Sequence, residues 1–182
     1  MTTVAFDPGL SGACSVIAPD HVNVMPMPTV GDAKKRTVNV PEVAAWLREL
    51  KPNLVVLEHA GPRPGESVTS AHKNGAGWGD LRGCVLTLGI RLEVVAPQTW
   101  KREFGIKAPS VEKLAKGASD DEKKAHARAK AAAQKVAKGM ACEIAMRLFP
   151  MVSLVPPRCR VPHDGMAESL LIAEFGVRRF GR

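Results

Sequence analysis

Asp7, Glu58, Asp164 and Glu168 are the acids whose settings suggest chemistry. Asp7 closes the apolar segment Thr3-Val4-Ala5-Phe6 and is followed by Pro8-Gly9. A carboxylate at such a strand end projects from the rim of a sheet into the crevice where α/β folds place their sites. An Asp before Pro-Gly is also an ordinary turn initiator, so Asp7 alone decides nothing. Glu58 ends the run Leu54-Val55-Val56-Leu57, where a carboxylate is costly unless it is partnered or faces a cleft. Asp164 follows Pro162-His163 and is placed to cap a final helix. Glu168, four residues on, lies one turn up the same face. Alone, that pair reads as a cap and a first-turn acid facing the helix dipole. Beside Asp7 and Glu58 it reads as part of a cation site.

Carboxylate oxygens from two strand ends and one helix start are the donors that hard divalent ions require. The expected cofactor is Mg²⁺, two ions per site, and the expected chemistry is in-line hydrolysis of a phosphodiester. His163 could assist proton transfer or bind metal, although a lone His beside Pro is more often a surface or capping residue.

The elements that would carry these residues follow from periodicity. Strands are expected at 3–7, 13–17 and 22–27, joined by the Pro8–Gly12 turn into an antiparallel meander. Pro41 opens a helix with Val43, Trp46, Leu47 and Leu50 on one face. Residues 53–58 form an apolar strand covered on both sides. A Gly- and Pro-containing loop is expected from His59 to about Gly77. Beyond it lie a helix from Trp78 to a C′ glycine at Gly89, a strand at 91–95 and a short helix from Pro97. From Lys107 to Lys138 the composition turns to Ala and Lys, with Asp120, Asp121 and Glu122 marking a helix start and Phe149 its expected end. A Pro-rich loop leads to a last helix at 164–175. This is an α/β order, three antiparallel strands and then parallel ones in a mixed five-stranded ribonuclease H-like sheet flanked by helices, within one domain spanning 1–182.

With 45% apolar and 24% charged residues the chain has the composition of an ordered globular protein. Its formal charge of +8 suits a polyanionic partner such as nucleic acid. The absence of Tyr argues against a module built on aromatic base stacking. Cys14, Cys84, Cys142 and Cys159 form no CxxC pair and are too scattered for a zinc site, so reduced, mostly buried thiols are expected. No apolar run reaches membrane-span length and no leader is read ahead of the first strand. The expectation is a cytoplasmic protein of a bacterial or phage-infected cell, with no membrane partner.

Three stretches together resemble the RuvC-like Holliday-junction resolvases. They are Asp7-Pro8-Gly9-Leu10-Ser11-Gly12-Ala13, the strand ending Val56-Leu57-Glu58, and His163-Asp164-Gly165-Met166-Ala167-Glu168 with the apolar run behind it. The glycine-containing stretch after Glu58 and Pro97-Gln98-Thr99-Trp100-Lys101 bring the likeness nearer the chloroplast and phage branch. The resemblance implies a homodimer that binds a four-way DNA junction and nicks two strands symmetrically with Mg²⁺ or Mn²⁺. It departs from the bacterial pattern, in which the last two acids commonly stand three apart. Here position 165 is Gly, so Asp164 pairs with Glu168. On this reading Gly75, Gly77 and Trp78 approach DNA, and Lys73, Arg82, Lys101, Arg102 and Lys107 contact phosphates. Trp78 reads equally well as the first core residue of its helix. The Lys- and Ala-rich stretch 113–138 is either a DNA footprint or a solvated helical face. Other readings keep the metal centre for an RNA/DNA hybrid or branched DNA, or keep only the basic surface, in a non-catalytic nucleic-acid-binding protein. An actin-like phosphotransferase needs two lobes, for which the chain is too short.

Overall fold

The structure, a computed structural model, describes residues 1–32, 35–61, 65–115 and 117–181. Strands β1 (Thr3–Asp7), β2 (Ala13–Ile17) and β3 (Val22–Pro26) form the antiparallel meander. A two-stranded hairpin, β4 (Thr29–Val30) with β5 (Thr37–Val38), leads to α1 (Val40–Leu50). Then come β6 (Leu54–Glu58), α2 (Val68–Thr87), β7 (Leu92–Val95), α3 (Pro97–Glu103), α4 (Asp120–Leu148) and α5 (Asp164–Phe180). The main sheet runs β3-β2-β1-β6-β7, with β1, β6 and β7 mutually parallel. Among the described residues no helix is long and apolar enough to cross a membrane.

The side-chain period of two splits the strands between two cores. Ala5 of β1 and Leu54 and Val56 of β6 face α5, α4 and α3, together with Met166, Leu170 and Phe175. Val4, Phe6, Val55 and Leu57 face α1 and α2, together with Val43, Leu47, Leu81 and Val85. α5 is the central helix, with every residue from Gly165 to Ala173 buried, as expected of a helix apolar on all sides. Ser169 breaks that apolar surface without being orphaned. Its Oγ lies 3.1 Å from the Ala5 carbonyl and 2.9 Å from Ser15 Oγ, and Ser15 Oγ donates to the Ser169 carbonyl at 2.8 Å. This buried knot fixes the rotation of α5 on β1 and β2, and so the direction of the acids at its start.

The element boundaries differ from expectation in one place that matters. α2 begins at Val68, capped by Ser67, whose side chain accepts from the Ser70 amide. Gly75 and Gly77 are therefore helical rather than in a loop. A cap plus packing of Leu81 and Val85 outweighs the glycine penalty of about 1 kcal/mol per residue.

Candidate active site

Parallel β1 and β6 end side by side, so Asp7 and Glu58 emerge at the same rim of the sheet. Behind Asp7 the chain turns so tightly that a Cβ on Gly12 would lie 2.0 Å from the Asp7 carbonyl oxygen. Glu58 is buried and held at both ends. Its carbonyl accepts from Trp78 Nε1 at 3.0 Å, and its Oε1 accepts from Trp100 Nε1 at 2.8 Å. The partly buried Trp78 thus works as a packing and positioning residue. Its ring stands edge-on to His59 with centroids 5.8 Å apart, and the Arg82 guanidinium carbon lies 6.0 Å from the ring centre.

The start of α5 closes the site from the other side. His163, not Asp164, is the N-cap, and its Nδ1 accepts from the Met166 amide at 3.2 Å. That bond engages one imidazole nitrogen in helix capping, the plainer of the two roles expected of His163. Asp164 is the first helical residue and Glu168 follows one turn later. A Cβ on Gly165 would sit 3.1 Å from Asp7 Oδ2, which shows how closely the helix start abuts the β1 carboxylate.

All four acids line one cleft of about 800 Å³. Its rim carries Lys101, Arg102, Lys107 and Lys138. Burial, then the charges of Glu168 and Glu58, push the Asp7 carboxyl well above the ordinary range, and Lys101 only partly offsets this. Lys101 Nζ lies 2.7 Å from Glu168 Oε1. That distance makes an ion pair, yet the buried oxygen receives no hydrogen bond of good geometry and remains an orphan. Lys138 pairs with Asp164. Burial alone would raise the Asp164 carboxyl, but the hydrogen-bonded Lys138 ammonium outweighs it and holds the group below its usual value. The same bond raises Lys138 above the usual lysine value.

Two ammonium groups therefore occupy the acids, and among the described residues no three His, Cys, Asp or Glu side chains converge tightly enough to clasp an ion. The donor set nevertheless fits a hard divalent cation. It is all oxygen, it holds a repelled Asp7 carboxylate, and its Glu168 oxygen is ion-paired without a well-directed hydrogen bond.

Of the residues expected at the DNA surface, Lys101, Arg102 and Lys107 line this cleft. Lys73 borders an adjoining cleft that shares Pro8, Ser11, Glu58 and Gln98 with it. Gly77 borders a smaller hollow beside the β4–β5 hairpin, also lined by Lys73 and Arg36. Gly75 and Arg82 are exposed on α2 and line none of these clefts. Lys138 is the charged residue of the cleft that the sequence did not single out. It is one lysine among many in a uniform Lys/Ala run, and only the packing phase of α4 distinguishes it.

A mixed sheet in this strand order, with acids converging from β1, β6 and the start of α5, defines a ribonuclease H-like fold with a carboxylate-lined cleft. The chain shares that fold with RuvC of Thermus thermophilus. The RuvC complex with a Holliday junction substrate superposes with a TM-score of 0.57 at 15% identity, covering 99% of this chain and 97% of that one. Another T. thermophilus RuvC structure matches with a TM-score of 0.53 at 17% identity, over 98% and 96% of the two chains. No protein-family model and no curated protein sequence matches the chain.

Proposed function

We propose that this chain is a divalent-metal-dependent endonuclease that resolves four-way DNA junctions, acting as a homodimer with one site for each of two opposed strands. The observation that carries the reading is the convergence of Asp7, Glu58, Asp164 and Glu168 on one cleft whose rim is basic. Its fold neighbour RuvC has been seen with a Holliday junction substrate, which favours a junction as the ligand. Mg²⁺ or Mn²⁺, two ions held by Asp7 and Glu58 together with Asp164 and Glu168, would supply Lewis acidity for in-line hydrolysis.

The chain's own residues do the positioning. The Trp100 and Trp78 N–H groups fix Glu58 against rotation. Lys101 and Lys138 neutralise Glu168 and Asp164 while no ion is bound, and their ammonium groups lie within the cleft that a phosphate would enter. Arg102 and Lys107 extend the same positive rim. Hydrolysis joins a water oxygen to phosphorus, breaks one bridging P–O bond, and passes a proton to the leaving oxygen.

Competition binding in Ca²⁺ with a four-way junction, a plain duplex and an RNA/DNA hybrid tests the substrate. The junction is expected to compete best, by about tenfold or more. Preference for the hybrid would keep the site and replace the substrate. Equal binding of all three, without cleavage of any, would leave a non-catalytic nucleic-acid-binding protein.

A further inference from the structure

α4 is 29 residues long, about 43 Å at 1.5 Å per residue, and it is fully buried only at Ala133, Ala141 and Ala145. Its first four turns, 120–132, are exposed apart from the half-buried His126, whose Nε2 lies 2.9 Å from the Glu112 carbonyl. So long an exposed stretch stays helical for local reasons. Alanine is the best helix former, and Ser119 with Glu122 makes a complete capping box. Lys123 and Lys124 pair with Asp120 and Asp121 one turn away. The first half of the helix is thus built to stand out from the globule with little packing, while the second half packs on α5.

From Asp120 to Lys138 its cations are not spread around it, while Arg147, in the last turn, falls on the opposite side. At 3.6 residues per turn, Lys123, Lys124, Arg128, Lys130 and Lys135 all fall within about 80° of Lys138 around the axis. Ala125, Ala129, Ala132 and Val136 occupy the other half. The direction of Lys138 is fixed by the structure, because it pairs with Asp164 and lines the catalytic cleft with Gln134 and Ala137. The basic half of the helix is therefore in phase with the cleft. A merely solvated helix has no reason to keep its cations on that side.

We propose that the basic half of α4 is a rail for the phosphate backbone of a duplex arm of the substrate, leading into the cleft at Lys138. This deepens the nuclease reading and rests on it for the class of ligand. From Lys123 to Lys138 the rail is about 22 Å long, roughly two-thirds of a turn of duplex. The intervening side chains are mostly alanine, so a backbone can approach the helix closely. Pairing with a second copy is disfavoured, because the helix lacks the apolar seam that a coiled coil requires. The continuity of its charge with Lys101, Arg102 and Lys107 favours a polyanion that passes through the cleft.

The test is junction binding without divalent metal, measured as a function of salt, for the natural protein and two charge-matched double variants. One is Arg128→Gln with Lys130→Gln. The other is Arg48→Gln with Lys51→Gln, which border a hollow lined by Asn53 and Arg91 with none of the site acids. Each lost phosphate contact flattens the slope of log affinity against log salt by about 0.9. The rail pair is expected to flatten it by about two and the matched pair to leave it unchanged. Equal effects of both pairs, no effect of either, or no binding of nucleic acid would overturn the rail. Binding that follows the rail without any cleavage would sink the nuclease reading alone.

Discussion

Gly165→Ala tests whether the start of α5 is as tightly seated as the site requires. The added methyl would meet the Ser11 carbonyl at 2.8 Å, His163 Cε1 at 3.0 Å and Asp7 Oδ2 at 3.1 Å. The first obstacle is backbone and the third is the carboxylate itself, so neither can yield without moving the site. Overpacking of this kind costs about 1–3 kcal/mol, and a helix-propensity gain of up to about 1 kcal/mol offsets part of it. A net loss of about 1–2 kcal/mol lowers Tm by roughly 2–8 °C in a chain of this size. Gly139→Ala in α4 is the control, because its added methyl meets nothing within 4 Å and should raise Tm by about 2–4 °C. Thermal melts of the metal-free proteins read both signs. Displacing Asp7 and Asp164 by a fraction of an ångström should also slow junction cleavage by about 10- to 100-fold. A Gly165→Ala protein that melts at or above the natural one and cleaves normally would refute the geometry.

Other outcomes follow from the same site. Asp7→Asn removes a carboxylate that burial and its acidic neighbours disfavour, so it should raise the urea midpoint of the metal-free protein while abolishing cleavage; a lowered midpoint would contradict the repulsion. Trp100→Phe leaves Glu58 Oε1 without its indole donor, and a loss of about 1.5–3 kcal/mol in unfolding experiments is expected, together with weaker metal binding by calorimetry. Burial, with Glu42 adding, pushes the Cys14 thiol from 9.0 up to about 12. The fold thus favours the protonated thiol, so its contribution to stability is complete below pH 9 and is lost as pH rises towards 12. Denaturation midpoints across that window should fall less steeply for Cys14→Ala.

The fold was legible where one physical rule acted alone. The strands at 3–7 and 13–17 emerge at their expected limits, because short apolar runs bounded by Pro and Gly admit few other readings. Gly89 does sit just past the end of α2 with φ +68°, as its position after Leu88 suggests. The start of α2 was illegible because four glycines in twelve residues argue for a loop, while the cap and the contacts of Leu81 and Val85 argue for a helix. Tertiary packing decided it. The β4–β5 hairpin has only two residues per strand, too few for any period to show.

In the site, the four acids were legible from the cost of placing them at strand ends and a helix start. The lysines that meet them were not. Lys101 was read as a phosphate contact and is found on Glu168, and Lys138 lay unmarked in a run of like residues. The N-cap was misplaced by one position because His163 and Asp164 can both accept a helix N–H, and only the entry angle of the chain distinguishes them.

Cleavage of an end-labelled four-way junction in Mg²⁺ bears most directly on the central claim, with the natural protein set against Asp7→Asn and Glu168→Gln. The account predicts paired, symmetric nicks from the natural protein and none from either variant, with junction binding retained in both. Nicks that persist in the variants, or a natural protein that binds the junction and never cuts it, would contradict it.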